Sequence, residues 1–376
     1  MRLTRACLVA LAVILSAPSR ADAYPQFQFA LGSERCSACH FAPGGGGLLN
    51  DFGRDESGDT LSGRGDGRFA HGAVTLPSWL ALGADVRSAL LGKQLADQEP
   101  ELLAFPMQAD AYARIALGPI SINLTGGLNG AARGRTAGAA SLTYLVSRQH
   151  YLGYESASGA VTVRAGRFFP VFGVRSQDHT AYARRYLDQS TLEEPYALEL
   201  GVRGDDWEGY VAGVLGNPLT LTGSGARARG ATAYFERRAG AFAVAGNARL
   251  AVTEADRRIL AGAIGKYWLA GPGLLAIAEL DLQHQHFTTT GDARVQLLAF
   301  AQLTKLIMPG YTFGVAFQRW APDLTLRGSS RNALQLDVQV FPWAHVEAHL
   351  LTRLEATGGD TTHPNLLALL QLHYYL

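Results

Sequence analysis

Cysteine is scarce in this sequence, which has only Cys7, Cys36 and Cys39 among its 376 residues. A zinc site made from Cys36 and Cys39 would need a second pair of ligands, and no further cysteine is present to supply them. A dithiol oxidoreductase would place the C-x-x-C spacing in a βαβ unit, and the flanking sequence shows none. Neither of these uses of a cysteine pair is favoured.

Charged residues and long apolar runs are also few. Charged residues make up 17% of the chain, below the usual quarter, and the formal net charge of +1 gives no argument for a nucleic-acid partner. After the first 23 residues, no apolar run is long enough for a transmembrane helix. Glycine is abundant, with 43 residues, and hydrophobic residues reach 48%. This combination is typical of a transmembrane β-barrel, whose apolar residues occupy alternate positions.

The first residues predict export. Arg2 and Arg5 form a positive region, residues 6–17 are apolar, and Ala21-Asp22-Ala23 fits a signal-peptidase site. The apolar run is too short to cross a bilayer as a helix. We therefore expect a signal peptide over residues 1–23. Its removal takes Cys7 with it.

The two remaining cysteines lie in the stretch Cys36-Ser37-Ala38-Cys39-His40. The spacing C-x-x-C-H is the attachment signal for a c-type haem. Two thiols add across the vinyl groups of the porphyrin, and the adjacent histidine reaches the iron. We expect one covalent haem c, with Cys36 and Cys39 as thioether residues and His40 as the proximal iron ligand.

The sixth iron ligand is less clearly marked. His71 is the tentative candidate because it lies in the same leading segment as the motif. Met107, on a predicted strand, is a weaker candidate, and His179, in a predicted outer loop, would have to fold into the lumen to compete. An open sixth position also remains. A methionine raises the reduction potential relative to a second histidine, and an open site permits ligand binding or peroxide chemistry.

Residues 24–75 differ from the rest of the chain, since they contain the haem motif and then a glycine-rich stretch that begins with Gly44, Gly45, Gly46 and Gly47. A segment this small cannot bury enough surface by itself, so we expect it to fold around the haem and against the following domain. The four glycines are expected to let the backbone pass close to the porphyrin.

From residue 76 to 376 the hydrophobic period is two. In residues 334–340, leucine and valine alternate with glutamine and aspartate. Such segments recur about 16 times, joined alternately by short and long connections. The short connections include 341–343, and the long ones, which all follow odd-numbered strands, include 174–195. We predict an all-β transmembrane antiparallel β-barrel of about 16 strands, preceded by a short haem-binding segment on the periplasmic side.

A group of arginines allows two interpretations. They could favour anions or pair with haem propionates, or they could hold a loop through Asp178, Asp188, Glu193 and Glu194, and the second interpretation is favoured. The arginines are Arg164, Arg167, Arg175, Arg184, Arg185 and Arg203. Polar clusters on two other strands are expected to face the lumen, and no metal beyond the haem iron is assigned to them. They are Glu279, Asp281, His284 and His286, and His345, Glu347 and His349.

The order of these features resembles a known family. The C-x-x-C-H motif, the glycine-rich stretch 44–50 and a barrel, together with the stretches 164–175 and 178–185, are similar to the haem-bearing porin-like proteins of some Gram-negative bacteria. The resemblance implies an outer-membrane location, covalent haem c and a part in electron transfer. It does not name a substrate.

Three functions are therefore open. The first is an outer-membrane electron carrier, in contact with lipid and with a periplasmic or barrel-docked cytochrome, because a single haem cannot span the membrane. The second is a passive channel in which the haem segment acts as a plug or sensor. The third is an enzyme with an open haem site, such as a peroxidase. A non-enzymatic carrier or porin is favoured over the enzyme.

Overall fold

The computed structural model describes residues 35–96, 98–130, 144–190, 192–218, 227–359 and 362–376. The predicted signal peptide, residues 1–23, lies outside these ranges. Within the described residues, no helix is long and apolar enough to cross a membrane.

The described chain forms one closed antiparallel sheet of 16 strands, in which each strand pairs with its neighbours in sequence. The first and last strands close the barrel, with Leu90 opposite Leu370. The prediction of an all-β antiparallel barrel of about 16 strands is confirmed. The strands are β1 Leu80–Gln94, β2 Glu101–Leu117, β3 Ile120–Asn129, β4 Tyr144–Glu155, β5 Val161–Arg167, β6 Tyr196–Arg203, β7 Trp207–Gly216, β8 Arg229–Ala239, β9 Phe242–Val252, β10 Asp256–Leu269, β11 Leu274–Phe287, β12 Ala293–Met308, β13 Tyr311–Ala321, β14 Arg331–Trp343, β15 Val346–Thr357 and β16 Asn365–Tyr375.

The two faces of the barrel differ as the period of two predicts. On β14, Leu334 and Leu336 point outward and are 50% and 44% exposed, whereas Gln335 and Asp337 point inward and are 3% and 7% exposed. Successive side chains of a strand point to opposite faces of the sheet. The outer surface is consequently apolar, and the inner surface is polar or charged except for an apolar patch that includes Leu260, Ile277 and Phe300.

The connections between strands lie at two ends of the barrel and differ in length between them. The connections after even-numbered strands are all short, and the long loops all follow odd-numbered strands, although the connection after β9 is also short. We call the two ends of the barrel the short-turn end and the long-loop end. One predicted turn is displaced. Residues 341–343 belong to β14, and the turn is formed by Ala344 and His345, which has a φ of 71°. His345 therefore lies in the turn and not on β15.

The N-terminal segment occupies the short-turn end. It contains the helices α1 (Cys36–Cys39) and α2 (Asp51–Glu56), a π-helical turn over Ser57–Leu61 and a 3₁₀ turn over Phe69–Gly72. We call residues 35–75 the plug. The Ala344 N–H donates to the Arg64 carbonyl over 2.8 Å, and Leu61 packs against Leu306 and Phe341 on the inner wall.

The loop between β5 and β6, residues 168–195, folds into the lumen, and we call it the inner loop. Its residues Val171, Phe172, Tyr182 and Leu187 are buried against the inner faces of strands from β7 to β14, and it contains the short helix α3 (Tyr182–Arg185). The prediction of a long connection over 174–195 after an odd-numbered strand is confirmed. Its predicted position outside the barrel is wrong, because these apolar side chains gain free energy by leaving water. The inner loop fills part of the lumen.

Candidate functional site

The C-x-x-C-H motif begins with a single helical turn inside the barrel mouth. Cys36 and Cys39 are 9% and 4% exposed, and the His40 N–H donates to the Cys36 carbonyl over 3.0 Å, which closes the turn. Residues three apart lie on the same face of a helix, so both thiols share one side of α1. His40 follows in extended conformation, with φ −118° and ψ 147°.

Asn50 holds this turn in place. Its side-chain amide donates to the Ala38 carbonyl over 2.8 Å, and its amide oxygen accepts from the Gly53 N–H over 2.9 Å. The Asn50 backbone N–H donates to the Cys39 carbonyl over 2.9 Å. Asn50 is thus the N-cap of α2 and also fixes α1. An isolated antiparallel β-bridge pairs the backbones of His40 and Leu49 and closes the loop between them.

The glycine-rich loop passes close to the motif. Gly45 has a φ of +75°, and a Cβ added to it would lie 3.2 Å from the Cys36 Cβ and 3.3 Å from its Sγ. Gly46 has a φ of +74° but no atom within 4 Å of an added Cβ. Only Gly45 therefore combines a left-handed backbone with a close approach to the cysteine, and both properties favour glycine.

The motif lines a cavity of about 340 Å³ inside the barrel. Cys36, Cys39 and His40 contribute from the plug, and His179 and Arg184 contribute from the inner loop. The barrel wall completes the lining with side chains that include Asp85, Arg87, Asp110, Tyr112, Arg148, Arg164 and His373. Three separate parts of the chain thus meet around one space.

The cavity wall is basic, and one of its arginines differs from the others. Arg148 pairs with Asp110, and Arg164 pairs with Glu199 over 2.6 Å. Arg184 instead donates to the backbone carbonyls of Gln189 and Ser176, over 3.1 and 2.7 Å, and no carboxylate of the described residues forms a salt bridge with it. Burial lowers the pKa of Arg184. Arg184 therefore adds a positive charge that is available to an anion in the cavity.

The two candidates for the sixth ligand lie away from the cavity lining. His71 is exposed, with its Nε2 2.9 Å from the Tyr374 hydroxyl and its ring against that of His345 at a centroid distance of 4.4 Å. Met107 is half-buried on β2 and does not line the cavity. The structure therefore does not bring His71 or Met107 together with Cys36, Cys39 and His40.

Two other histidines do line the cavity. The ring nitrogens of His373 each lie 2.8 Å from a carboxylate oxygen, one of Asp85 and one of Glu347. His179 makes no hydrogen bond to any residue in the described ranges, and burial lowers its pKa. The sequence predicts an outer loop at His179, and this position is wrong. The large apolar residues elsewhere in the loop, Phe172 and Leu187, indicate an inward fold.

Of the six arginines that the sequence groups together, Arg164, Arg175 and Arg203 pair with carboxylates on the strands. Arg167 contacts Glu194 over 3.3 Å, as the loop-holding interpretation predicted. The acids of the inner loop otherwise bind strand arginines that sequence reasoning did not single out, since Asp178 pairs with Arg353 over 2.6 Å. Asp188 likewise pairs with Arg249 and Arg258. Ion pairs therefore do hold the inner loop, but most of them involve arginines outside the predicted group.

The polar cluster on β11 is divided between the two faces of the sheet. Glu279 and Asp281 are buried in the lumen, whereas His284 and His286 are exposed on the outer face. An even separation keeps two residues on one face of a strand and an odd separation puts them on opposite faces. Among the described residues, no group of three or more metal-ligating side chains is found.

The barrel resembles solved outer-membrane proteins. OmpT of Vibrio cholerae superposes with a TM-score of 0.60 and 10% identity, over 81% of this chain and 100% of that one. OprB of Pseudomonas putida gives 0.62 and 11%, over 79% and 94%, and an anion-selective porin from Comamonas acidovorans gives 0.57 and 8%, over 79% and 99%. No protein-family model and no curated protein matches the sequence. The similarity is one of fold.

Proposed function

We propose that this chain is an outer-membrane β-barrel that carries one covalent haem c in its lumen and takes part in electron transfer. The observation that carries the proposal is the position of the C-x-x-C-H motif. Cys36, Cys39 and His40 all line one cavity enclosed by the plug, the inner loop and the barrel wall. A haem held there would be separated from lipid by the sheet.

The outer surface supports the membrane location. Its exposed side chains include Leu334, Leu336 and Val244, and an apolar exterior on a closed barrel matches a hydrocarbon surrounding. Short turns face the periplasm in barrels of this kind. On that basis the plug, which occupies the short-turn end, lies on the periplasmic side.

The residues around the cavity fit a haem. Cys36 and Cys39 present both thiols from one helical turn, and the close approach of Gly45 leaves no room for a side chain beside Cys36. His40 would bind the iron, and Arg184 would pair with a propionate. A bound haem would supply a one-electron iron couple. The protein would hold the haem iron in place and keep lipid away from it. A redox partner would approach from the short-turn end.

A partner is needed because a single cofactor near one end of the barrel does not span the membrane. We infer a cytochrome in the periplasm or docked on the barrel. The test is the purified protein alone in liposomes that enclose a reduced donor, with an external acceptor. No oxidation of the donor is expected until the partner is added. Rapid oxidation by the barrel alone would contradict the need for a partner.

The attachment of haem is tested directly by the intact mass and the visible spectrum of the purified mature protein. We expect the mass of the polypeptide plus one haem, retained under denaturing conditions, and a spectrum that changes on reduction with dithionite. A mass that equals the polypeptide alone would end the redox proposal.

A passive channel is the second candidate, since the fold is that of porins. Among the described residues, the plug and the inner loop fill most of the lumen and leave a cavity of about 340 Å³. We therefore expect little conductance from the intact protein in a planar bilayer. If a deletion of residues 35–75 opens a stable channel, the plug is what blocks the pore. A large conductance of the intact protein would favour the channel as the main function.

A further inference from the structure

The inner loop brings a second histidine to the cavity that the C-x-x-C-H motif lines. His179 lies between two residues that anchor the loop to the same arginine. Arg353 on β15 donates to the Asp178 carboxylate over 2.6 Å and to the Thr180 carbonyl over 3.1 Å. Two residues later, the Tyr182 N–H donates to the Gln318 side chain over 2.7 Å.

These bonds fix the direction of the loop at His179. Asp178 and Thr180 are held by Arg353 on β15, whereas His179 between them lines the cavity. The apolar packing of Tyr182, together with Val174 earlier in the loop, buries both flanks of this stretch. His179 is therefore presented from a restrained backbone and not from a freely moving tip.

The other candidate ligands are excluded by what they already bind or by where they lie. His373 shares the cavity, but both of its ring nitrogens are held by carboxylates, at 2.8 Å from Asp85 and 2.8 Å from Glu347. Met107 and Met308 do not line the cavity. His71 lies against Tyr374 and His345. Apart from the motif itself, His179 is the cavity-lining histidine of the described residues whose imidazole has no hydrogen-bond partner.

We infer that His179, supplied by the inner loop, would hold the haem iron together with His40. This inference rests on the haem attachment proposed above and deepens it. Ligation by two imidazoles gives a six-coordinate iron with no open position, which suits electron transfer and disfavours peroxide chemistry. It also links the plug, through the haem, to the inner loop.

The test uses the full-length mature protein with its haem attached. The ferric and ferrous spectra of His179→Gly are compared with those of the unmodified protein, and the intact mass reports covalent haem in both. We expect the unmodified protein to be low-spin and His179→Gly to keep its haem but become high-spin. Added imidazole should restore the low-spin spectrum of the variant. Such a recovery would show that the substitution removes an iron ligand and does not merely disturb the structure.

Matched variants keep the test decisive. His71→Gly removes the histidine that sequence proximity favoured and is expected to leave the spectrum unchanged. His179→Met is expected to remain low-spin with a higher reduction potential, because a thioether favours ferrous iron relative to imidazole. A loss of the low-spin form in His71→Gly, or its persistence in His179→Gly, would overturn the inference.

The two proposals fail in different ways. An unmodified protein without covalent haem overturns both. An unmodified protein that holds haem but is high-spin, or whose low-spin spectrum is insensitive to substitution at position 179, overturns the assignment of His179 alone and leaves the haem attachment in place.

Discussion

The guanidinium of Arg175 donates a hydrogen bond to the carbonyl oxygen of Pro43 over 2.9 Å. Arg175 belongs to the inner loop and Pro43 to the plug, so this bond joins the two segments that fill the lumen. The guanidinium also lies over the Tyr234 ring, 5.1 Å from its centroid. The contact is buried between elements that are more than 100 residues apart in sequence.

Arg175→Ala is expected to loosen the plug. The substitution leaves the Pro43 carbonyl without its donor, and a hydrogen bond to a charged group contributes about 1.5–3 kcal/mol. The substitution also removes the contact with the Tyr234 ring and the 3.6 Å ion pair with Glu208, which keeps its partner Arg238 at 3.0 Å. Planar-bilayer recordings should show more frequent openings than in the unmodified protein.

The control for this variant is Arg237→Ala. Arg237 also forms an ion pair near the short-turn end, with Asp206, but its side chain is 68% exposed, and exposed pairs contribute little. Its recordings should match those of the unmodified protein. Equal effects of the two substitutions would show that the bond to Pro43 does not hold the plug.

Gly45→Ala is expected to impair haem attachment more than Gly46→Ala. Both substitutions put alanine into a left-handed backbone, which costs about 1–2 kcal/mol. Only the Cβ at Gly45 also approaches Cys36, at 3.2 Å from its Cβ, and overpacking adds about 1–3 kcal/mol. The fraction of protein that carries covalent haem, measured by intact mass, should fall in the order unmodified, Gly46→Ala, Gly45→Ala. An equal yield in the two variants would rule out the contact as the cause.

Replacement of both Cys36 and Cys39 by alanine should abolish covalent haem and leave the barrel intact. The closing contacts of the sheet, such as Leu90 opposite Leu370, do not involve the motif. Circular dichroism should therefore retain its β-sheet signal while haem is lost on denaturing gels. Each single substitution should leave one thioether and an altered ferrous spectrum. Collapse of the sheet in the double variant would show that the barrel depends on the motif.

Arg184→Gln is expected to lower the reduction potential of the haem. Arg184 brings to the cavity a positive charge that forms no salt bridge among the described residues, and a nearby cation disfavours the more positive ferric state. Its neighbour Arg185 provides the control, because it is exposed and does not line the cavity. Potentiometric titration should show a shift for Arg184→Gln and none for Arg185→Gln. A higher potential in Arg184→Gln would contradict the assignment of its charge to the cavity.

The local structure of the plug around Asp66 should depend on pH, because the Asp66 carboxylate pairs with Arg68. Hydrogen bonds from the side chain and backbone of Arg68 lower the pKa of Asp66 to about 2, from an ordinary value near 4. A lowered carboxyl pKa contributes stability that is present above pH ~4 and is lost as the pH falls towards 2. Hydrogen exchange in residues 64–68, corrected for intrinsic rates, should rise over this range.

Asp66→Asn should remove that pH dependence, because the amide does not titrate. Asp59→Asn, at an exposed position of the same segment, serves as the control and should retain it. Exchange that rises equally in all three proteins would show that the Asp66 carboxylate does not stabilise the plug.

The barrel could be predicted because the alternation of side chains within each strand, which is visible in short stretches of sequence, determines it. Leu334 and Gln335 alternate for the same reason in every strand: the pleat sends neighbouring side chains to opposite faces. The order of short and long connections follows from the same antiparallel pairing. The turn at Ala344 and His345 was misplaced by two residues because Pro342 resembles a turn residue in sequence, whereas in the structure it lies within β14.

The position of the inner loop inside the barrel could not be predicted from short stretches of sequence. Whether residues 168–195 extend outward or fold inward depends on the space inside a closed barrel, which no short window of sequence describes. Phe172 and Leu187 were the usable signal, because two large apolar residues in a loop favour burial. The sequence favours His71 as a haem ligand because it lies near the motif along the chain. In the structure His71 lies against Tyr374, and the more distant His179 lines the cavity.

The contacts of the plug also constrain the order in which the protein matures. Arg54 binds the Leu82 carbonyl on β1, Arg64 accepts from the turn after β14, and Arg35 binds the Asp205 carbonyl between β6 and β7. These three places come together only when the cylinder has closed. After closure Cys39 is 4% exposed, out of reach of a ligating enzyme. Under the proposed haem attachment, the thioether bonds would therefore form before the barrel closes.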